Sequence, residues 1–241
     1  MKWIGLERAE AHLRIGCGRL VRRVGLEGFA ALLTRQGHTV TTPDCTGLGE
    51  RRHLVSDAIH LSLHVDDITN HLEMHDLHAV TLVGWSYGGM LLASVVAACP
   101  QRIESLIYLD GFVPENGKSV ADYSAPEVVA SFEACRATNS PVPPLSLDVF
   151  GVSDPAIVEF VQPRIAMQPW RTFLDKADIT SNSPHMPTSY IRCEHHCYPP
   201  FDEAAQRVDR DPHARVVRAP MGHLCMLTQP RDTSEILLSL A

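Results

Sequence analysis

Residues 79–98, "AVTLVGWSYGGMLLASVVAA", place a serine between two apolar runs and among glycines. The first run has the length and β-branched content of a buried strand, and the second run is typical of an apolar helix. A tight turn from strand to helix strains the backbone at the serine, and Gly84 and Gly88 remove Cβ atoms that would clash there. The pattern therefore predicts a nucleophile elbow that presents the hydroxyl of Ser86.

The same turn predicts a way to stabilise negative charge beside Ser86. The helix that follows directs its N-terminal amides and the positive end of its dipole toward the serine. We therefore expect the backbone amide of Tyr87 to donate to an oxyanion that forms there.

A serine hydroxyl is a poor nucleophile without a base. Where an α/β sheet carries such a nucleophile elbow, the base follows the last strand. His223 lies in "APMGHLCMLTQP", directly after the short apolar run "ARVVRA" at 214–219, and Gly222 gives its loop freedom to reach back. We predict that His223 is the base. The other twelve of the 13 histidines are interpreted as surface or helix-face residues.

The rest of the chain alternates short apolar runs with helical patterns, which predicts a mostly parallel central sheet wrapped by helices. The chain is therefore interpreted as a single α/β domain, 1–241. No clear strand lies between about 113 and 187, a stretch with several prolines. Because a structureless loop of that length is uncommon, we predict a small helical cap there.

Composition excludes several classes of partner. The chain has 28 acidic and 21 basic side chains, a net charge of −7, which argues against nucleic acid and anionic lipid surfaces. No apolar run reaches the roughly 18 residues of a membrane span, and the first 16 residues carry charges where a signal peptide would be apolar. With seven irregularly spaced cysteines, the sequence predicts a cytoplasmic protein without a disulfide framework.

These motifs resemble the α/β-hydrolase superfamily and, within it, small esterases similar to plant methylesterases and hydroxynitrile lyases. The resemblance covers about residues 29–241 and runs through "GHTVTTPDCTGLGERRHL", "HVDDITNHLE", "LVGWSYGGM", "LIYLDGFVPENGKSV" and "MGHLCMLTQP". It implies a serine hydrolase that cleaves a small carboxylic ester through an acyl-enzyme, with Ser86 as nucleophile and His223 as base.

Further expectations accompany this resemblance. No cofactor is required, because the Ser-His-acid machinery generates its own nucleophile. The second oxyanion amide falls on Cys17 or Gly18, in "CGRL", where relatives carry a His-Gly motif. A hydroxynitrile-lyase-like enzyme, a lactone-opening enzyme and a weakly active member with an altered oxyanion loop remain alternatives, and a homodimer is compatible with the sequence.

The acid of the triad is harder to place. Many relatives carry an orienting Asp a few residues after the strand that reads here "SYIRC", but this chain continues "EHHCYPPFDE". Asp110 ends the preceding strand, "LIYLD", a position from which a carboxylate can also reach the imidazole. We predict Asp110 as the acid, with Glu194 and then Asp202 as alternatives; a simple loop cap is the other role for Asp110.

The stretch "CEHHC", 193–197, contains four residue types that bind zinc. Neighbouring side chains at a strand end alternate faces, so four ligands within five residues cannot converge on one ion, and we predict no metal site.

For substrate contacts we name Trp85, beside the nucleophile, together with Phe112 and Trp170. Other apolar residues in the predicted cap are Val113, Met167 and Phe173.

Overall fold

In the computed structural model, residues 12–16, 23–179 and 184–241 are described, with 12–16 and 23–27 described by their backbone alone. Six strands form one sheet in the order β2-β1-β3-β4-β5-β6, and every adjacent pair is parallel. The strands are β1 His12–Gly16, β2 Thr39–Thr41, β3 Val80–Trp85, β4 Ile103–Leu109, β5 Thr188–Cys193 and β6 Arg215–Ala219. The mostly parallel central sheet wrapped by helices, predicted from the sequence, is confirmed.

Helices cover both faces of this sheet. They are α1 Arg23–Arg35, α2 Leu61–Met74, α3 Gly89–Ala98, α4 Pro126–Ala137, α5 Pro155–Val161, α6 Arg171–Leu174, α7 Pro199–Val208, α8 Cys225–Thr228 and α9 Pro230–Leu240. Short 3-10 turns occupy Gly49–Leu54, Ser86–Gly88, Pro100–Arg102, Ala121–Tyr123, Leu147–Phe150 and Gln162–Arg164. None of the helices in the described ranges is long and apolar enough to cross a membrane.

The central strands β3, β4 and β5 are mostly apolar, because both of their faces are largely buried. Successive side chains of a strand point to opposite faces, so Leu82 and Val83 of β3 enter two different hydrophobic clusters. On the first face the cluster includes α2 and α3, and on the second it includes α1 and α9. The core thus packs on both faces of the sheet, and the carboxyl ends of its parallel strands lie along one edge.

Between β4 and β5 the chain forms α4, α5 and α6, and its described residues add no strand to the sheet. Its one isolated bridge joins Val142 and Gln168 in antiparallel fashion. Aromatic side chains from two of these helices, Phe132 of α4 and Phe173 of α6, stack with their ring centroids 4.6 Å apart. Both belong to the cluster on the α2–α3 face, so this helical segment packs onto the strand ends.

Candidate active site

Ser86 is placed by a sharp turn between β3 and α3. Its φ of +55° lies in the left-handed region, which costs a non-glycine residue of order 1–3 kcal/mol and is found mainly at functional sites. Close backbone packing maintains this turn: a Cβ on Gly84 would lie 2.9 Å from the carbonyl oxygen of Gly88, and one on Gly89 would collide with the carbonyl oxygen of Phe112. Glycines are therefore required on both sides of the serine.

Three side chains from three different strand ends form a hydrogen-bonded chain. Nε2 of His223, in the loop after β6, lies 3.0 Å from Oγ of Ser86. Nδ1 of the same ring lies 2.7 Å from Oδ2 of Asp110, the residue that follows β4. Asp110 also has a positive φ, +41°, so the turn after β4 is strained like the turn after β3.

The carboxylate of Asp110 is fully buried and accepts four hydrogen bonds. Oδ1 accepts from Nη1 of Arg192 at 2.8 Å and from the backbone N–H of Cys193 at 3.1 Å. Oδ2 accepts from the Nδ1 atoms of both His223 and His196, each at 2.7 Å. Burial by itself would raise the pKa of Asp110, but the hydrogen bonds from the two histidines outweigh it and hold the pKa well below its ordinary value. Asp110 is therefore ionised.

His223 is buried between aromatic rings. Desolvation lowers the pKa of His223 from 6.5 and outweighs the hydrogen bond and charge of Asp110, which act in the opposite direction. At neutral pH the imidazole is uncharged, with its proton on Nδ1 facing the carboxylate and its lone pair on Nε2 facing Ser86. This is the protonation state in which a histidine accepts a proton from a serine hydroxyl.

The two alternative acids lie elsewhere. The side chain of Glu194 is exposed, and its backbone N–H donates to the carbonyl oxygen of Ala219. Asp202, in α7, pairs with Arg192 through two hydrogen bonds, Nε–Oδ1 at 2.8 Å and Nη2–Oδ2 at 3.0 Å. Neither carboxylate contacts His223. Asp202 instead fixes the arginine that binds Asp110.

His196 is a site residue that the sequence analysis missed. Its interpretation as a surface or helix-face residue is wrong, since only 10% of its side chain is exposed and its ring lies 4.2 Å from that of His223, centroid to centroid. The carboxyl ends of parallel strands meet at one edge of a sheet, so the residues after β5 were bound to lie beside Asp110 after β4. That rule was available from the sequence.

An apolar cavity of about 310 Å³ opens above Ser86 and His223. Six of its lining residues are Phe112, Val128, Phe132, Val149, Phe150 and Phe173. Phe112 thus lies where a substrate contact was expected, as does Phe173. Val149 and Phe150 come from the 3-10 turn in the segment between β4 and β5, and Val128 comes from α4.

Trp85 and Trp170 do not line this cavity, contrary to the contacts expected for them. Side chains alternate along β3, so Trp85, like Val83, lies in the cluster on the α1–α9 face, and its Nε1 donates to the carbonyl oxygen of His223 at 2.8 Å. Trp170 is buried within the helical segment, where its Nε1 donates to Oδ1 of Asn139 at 3.3 Å. Met167 is half exposed and also lies outside the lining.

Of the expected oxyanion donors, the structure describes Tyr87 alone. Tyr87 follows Ser86 in the 3-10 turn that leads into α3, and its hydroxyl lies 2.9 Å from Nδ1 of His64, a buried residue of α2. This contact anchors the side chain of Tyr87. Cys17 and Gly18 lie outside the described residues.

Asp110, His196 and His223 bring one ligand-type atom each within 4.8 Å of one another, a spacing that also occurs in metal sites. Both Nδ1 atoms, however, face Oδ2 at 2.7 Å, which is the distance of an N–H···O hydrogen bond and leaves no room for a cation between them. Cys197 and His195 of "CEHHC" are exposed. We assign these contacts to hydrogen bonds.

Comparison with known proteins agrees with the geometry. The model of the alpha/beta hydrolase family matches residues 19–236. A carbendazim hydrolyzing esterase from Nocardioides sp. (strain SG-4G) is 33% identical over 223 residues, which cover 88% of this chain and 91% of that protein.

Solved structures resemble the chain over nearly its whole length. An extracellular alpha/beta-hydrolase from a Paenibacillus species, described as homologous to tobacco salicylic acid binding protein 2, has a TM-score of 0.82 at 22% identity and covers 95% of this chain and 99% of its own. Tomato methylketone synthase I has a TM-score of 0.71 at 14% identity, covering 95% and 97%. Family model, relative and fold agree: the chain belongs to the alpha/beta hydrolase family.

Proposed function

We propose that this hydrolase is a serine esterase that cleaves small carboxylic esters. The observation that carries the proposal is the hydrogen-bonded chain Ser86–His223–Asp110 at the base of an apolar cavity. In this proposal Ser86 is the nucleophile, His223 the general base and Asp110 the orienting acid.

The reaction begins when Nε2 of His223 takes the hydroxyl proton as Oγ of Ser86 attacks the ester carbonyl. The carbonyl π electrons move to oxygen, and the backbone amide of Tyr87 donates to this oxyanion, with Cys17 or Gly18 as the proposed second donor. When the tetrahedral intermediate collapses, the alkoxide leaving group takes the proton from His223. Water, deprotonated by the same imidazole, then releases the acid from the acyl-enzyme.

Asp110 lowers the free-energy cost of each of these proton transfers. Its carboxylate holds the Nδ1–H tautomer of His223 before attack and stabilises the imidazolium afterwards. Because the carboxylate is buried, the attraction between the two charges is only weakly screened. The hydrogen bonds from His196 and His223 keep its pKa low, and Arg192 pairs with it at 2.8 Å, so no proton has to be expelled first.

The volume of the cavity limits the size of the substrate. This volume of about 310 Å³ is at the lower end of the range for small-molecule sites, so the cavity holds a short acyl group or one aromatic ring. We propose that the helical segment at about 113–187 acts as a cap, because it supplies Phe132 and Phe173 to the lining. Carbendazim, named for the related esterase, is a substrate to test. A cytoplasmic location and a homodimer stay predictions.

A fluorophosphonate probe tests the proposal, since it phosphonylates an activated serine. We expect a single modified peptide that contains Ser86, and the Ser86→Ala variant is expected to lose labelling and 4-nitrophenyl acetate hydrolysis while keeping its circular dichroism spectrum. Ser124→Ala is the matched control, because Ser124 lines the same cavity but donates to the carbonyl oxygen of Val120 at 2.9 Å. Ser124→Ala should still be labelled at Ser86. Labelling at another serine, or full hydrolysis by Ser86→Ala, contradicts the proposal.

A further inference from the structure

The second histidine on Asp110 is not needed for the proton transfers described above. Nδ1 of His196 lies 2.7 Å from Oδ2 of Asp110, the same oxygen that binds His223. Its ring lies close to three aromatic side chains, with Tyr198 nearly parallel at 5.8 Å, Phe201 at 5.7 Å and Phe150 at 6.0 Å between centroids. His196 is therefore held in one orientation from both its polar and its apolar sides.

The charge of Asp110 determines which nitrogen of His196 carries the proton. An ionised carboxylate only accepts hydrogen bonds, so both Nδ1 atoms at Oδ2 carry protons. In the neutral imidazole the lone pair then lies on Nε2. His223 uses its Nε2 for Ser86, but no donor in the described part of the chain contacts Nε2 of His196.

His196 also lines the apolar cavity above Ser86. Two other polar side chains in this lining already have partners: the hydroxyl of Ser124 donates to the carbonyl oxygen of Val120, and that of Tyr87 contacts Nδ1 of His64. Nε2 of His196 is thus an acceptor with no protein partner in the described part of the chain, and it is open to solvent rather than sealed in the interior. A substrate that donates to it gains affinity and is oriented at the same time.

We propose that His196 is a specificity-determining residue that selects esters with an O–H or N–H donor next to the scissile carbonyl. This inference rests on the proposed esterase function. The imidazole rings of His196 and His223 are only 4.2 Å apart, so a donor that reaches Nε2 of His196 lies close to the carbonyl that Ser86 attacks. α-Hydroxy esters and carbamates with an N–H have this arrangement.

The test compares two substrates of matched electronic character at pH 8, where imidazoles are ordinarily neutral. They are 4-nitrophenyl hydroxyacetate, which has an O–H donor, and 4-nitrophenyl methoxyacetate, which has none. The readout is the ratio of their kcat/KM values, divided by the ratio of their rates with hydroxide. For the wild-type protein we expect this selectivity to exceed one, and a value of one or below overturns the inference even if every variant fails to fold.

Two substitutions separate selection from structural support. Asn at position 196 places an N–H near the former Nδ1 and removes the acceptor at Nε2, so His196→Asn should lower the selectivity by about 3–10-fold, the value of one ordinary hydrogen bond. Gln places its amide near the former Nε2, and His196→Gln should keep most of the selectivity although the bond to Asp110 is weakened. A merely structural histidine would show no change of selectivity in either variant.

His195→Asn is the matched control, since it makes the same substitution at the neighbouring, exposed histidine outside the cavity. Its selectivity should equal that of the wild-type protein. If His196→Asn keeps full selectivity while Ser86→Ala is inactive, only this inference fails. If Ser86→Ala remains active, the proposed esterase mechanism fails as well.

Discussion

Replacing Asp110 by asparagine should be the most damaging conservative change near the nucleophile. The carboxylate accepts four hydrogen bonds, two from the histidine rings at Oδ2 and two from Arg192 and the Cys193 amide at Oδ1. An amide has only one oxygen, so one pair of donors must face its NH₂ group. Which pair does so determines the effect on catalysis.

Hydrogen bonds to charged groups contribute about 1.5–3 kcal/mol, against about 0.5–1.5 kcal/mol for neutral ones. The amide oxygen should therefore turn to the charged guanidinium of Arg192, and the NH₂ group should face the two rings. His223 must then accept at Nδ1 and carry its proton on Nε2, where it cannot accept from Ser86. In a serine protease, the same change of tautomer lowers kcat by about 10⁴-fold, and we expect a similar loss here.

The assay is kcat for 4-nitrophenyl acetate, with Glu194→Gln as control. Glu194 is exposed and its side chain is outside the site, so its substitution should change kcat by less than about twofold, as is usual for surface changes. A loss below about tenfold in Asp110→Asn, with a large loss in Glu194→Gln, would refute the reasoning and move the acid to the segment after β5.

Three further outcomes are expected. Because burial lowers the pKa of His223 and its neutral form is the base, kcat/KM should fall on the acid side only as the pH drops through a value below 6.5; a midpoint at or above 6.5 in the pH profile contradicts this. Gly89→Ala should lower stability by about 1–3 kcal/mol, since its Cβ meets the Phe112 carbonyl. Its matched control, Gly28→Ala in α1, has open space at the Cβ and should raise the melting temperature slightly; equal melting temperatures would argue against the elbow packing. Ester hydrolysis should survive EDTA, and a loss restored by zinc would show that Asp110, His196 and His223 bind metal.

The strands and the elbow could be predicted because their signals are local. The run "AVTLVG" becomes β3 at Val80–Trp85, and "GMLLASVVAACP" becomes α3 at Gly89–Ala98, each within two residues of the sequence pattern. The sequence pattern did not show which residue Gly89 approaches, since it packs against Phe112, 23 positions later in the chain. No local pattern contains that contact, because it depends on how β3 and β4 pair.

The surroundings of Asp110 depend on the same kind of information. "CEHHC" suggested metal ligands when it was considered alone, and the alternation argument against zinc left no role for His196. Its role follows only when β5 is placed beside β4, which brings the residues after Cys193 to the carboxylate. Trp85 was misplaced for a related reason. Its neighbour Ser86 lies at the cavity. Side chains alternate along β3, however, and Trp85 faces the opposite side of the sheet.

Arg192 pairs with two carboxylates, Asp110 and Asp202, and this affects the charge that Asp110 presents to His223. An arginine that bound Asp110 alone would neutralise it and weaken its attraction for the imidazolium of His223. Here the guanidinium also donates to both oxygens of Asp202, so its charge is shared. Asp110, Arg192 and Asp202 together carry a net charge of about −1 at pH 7, and Arg218 lies 3.8 Å from Oδ1 of Asp202 on the exposed side. In the proposed mechanism, the segment after β5 thus provides residues that hold the acid, and Asp110 retains the negative charge that a buried imidazolium requires.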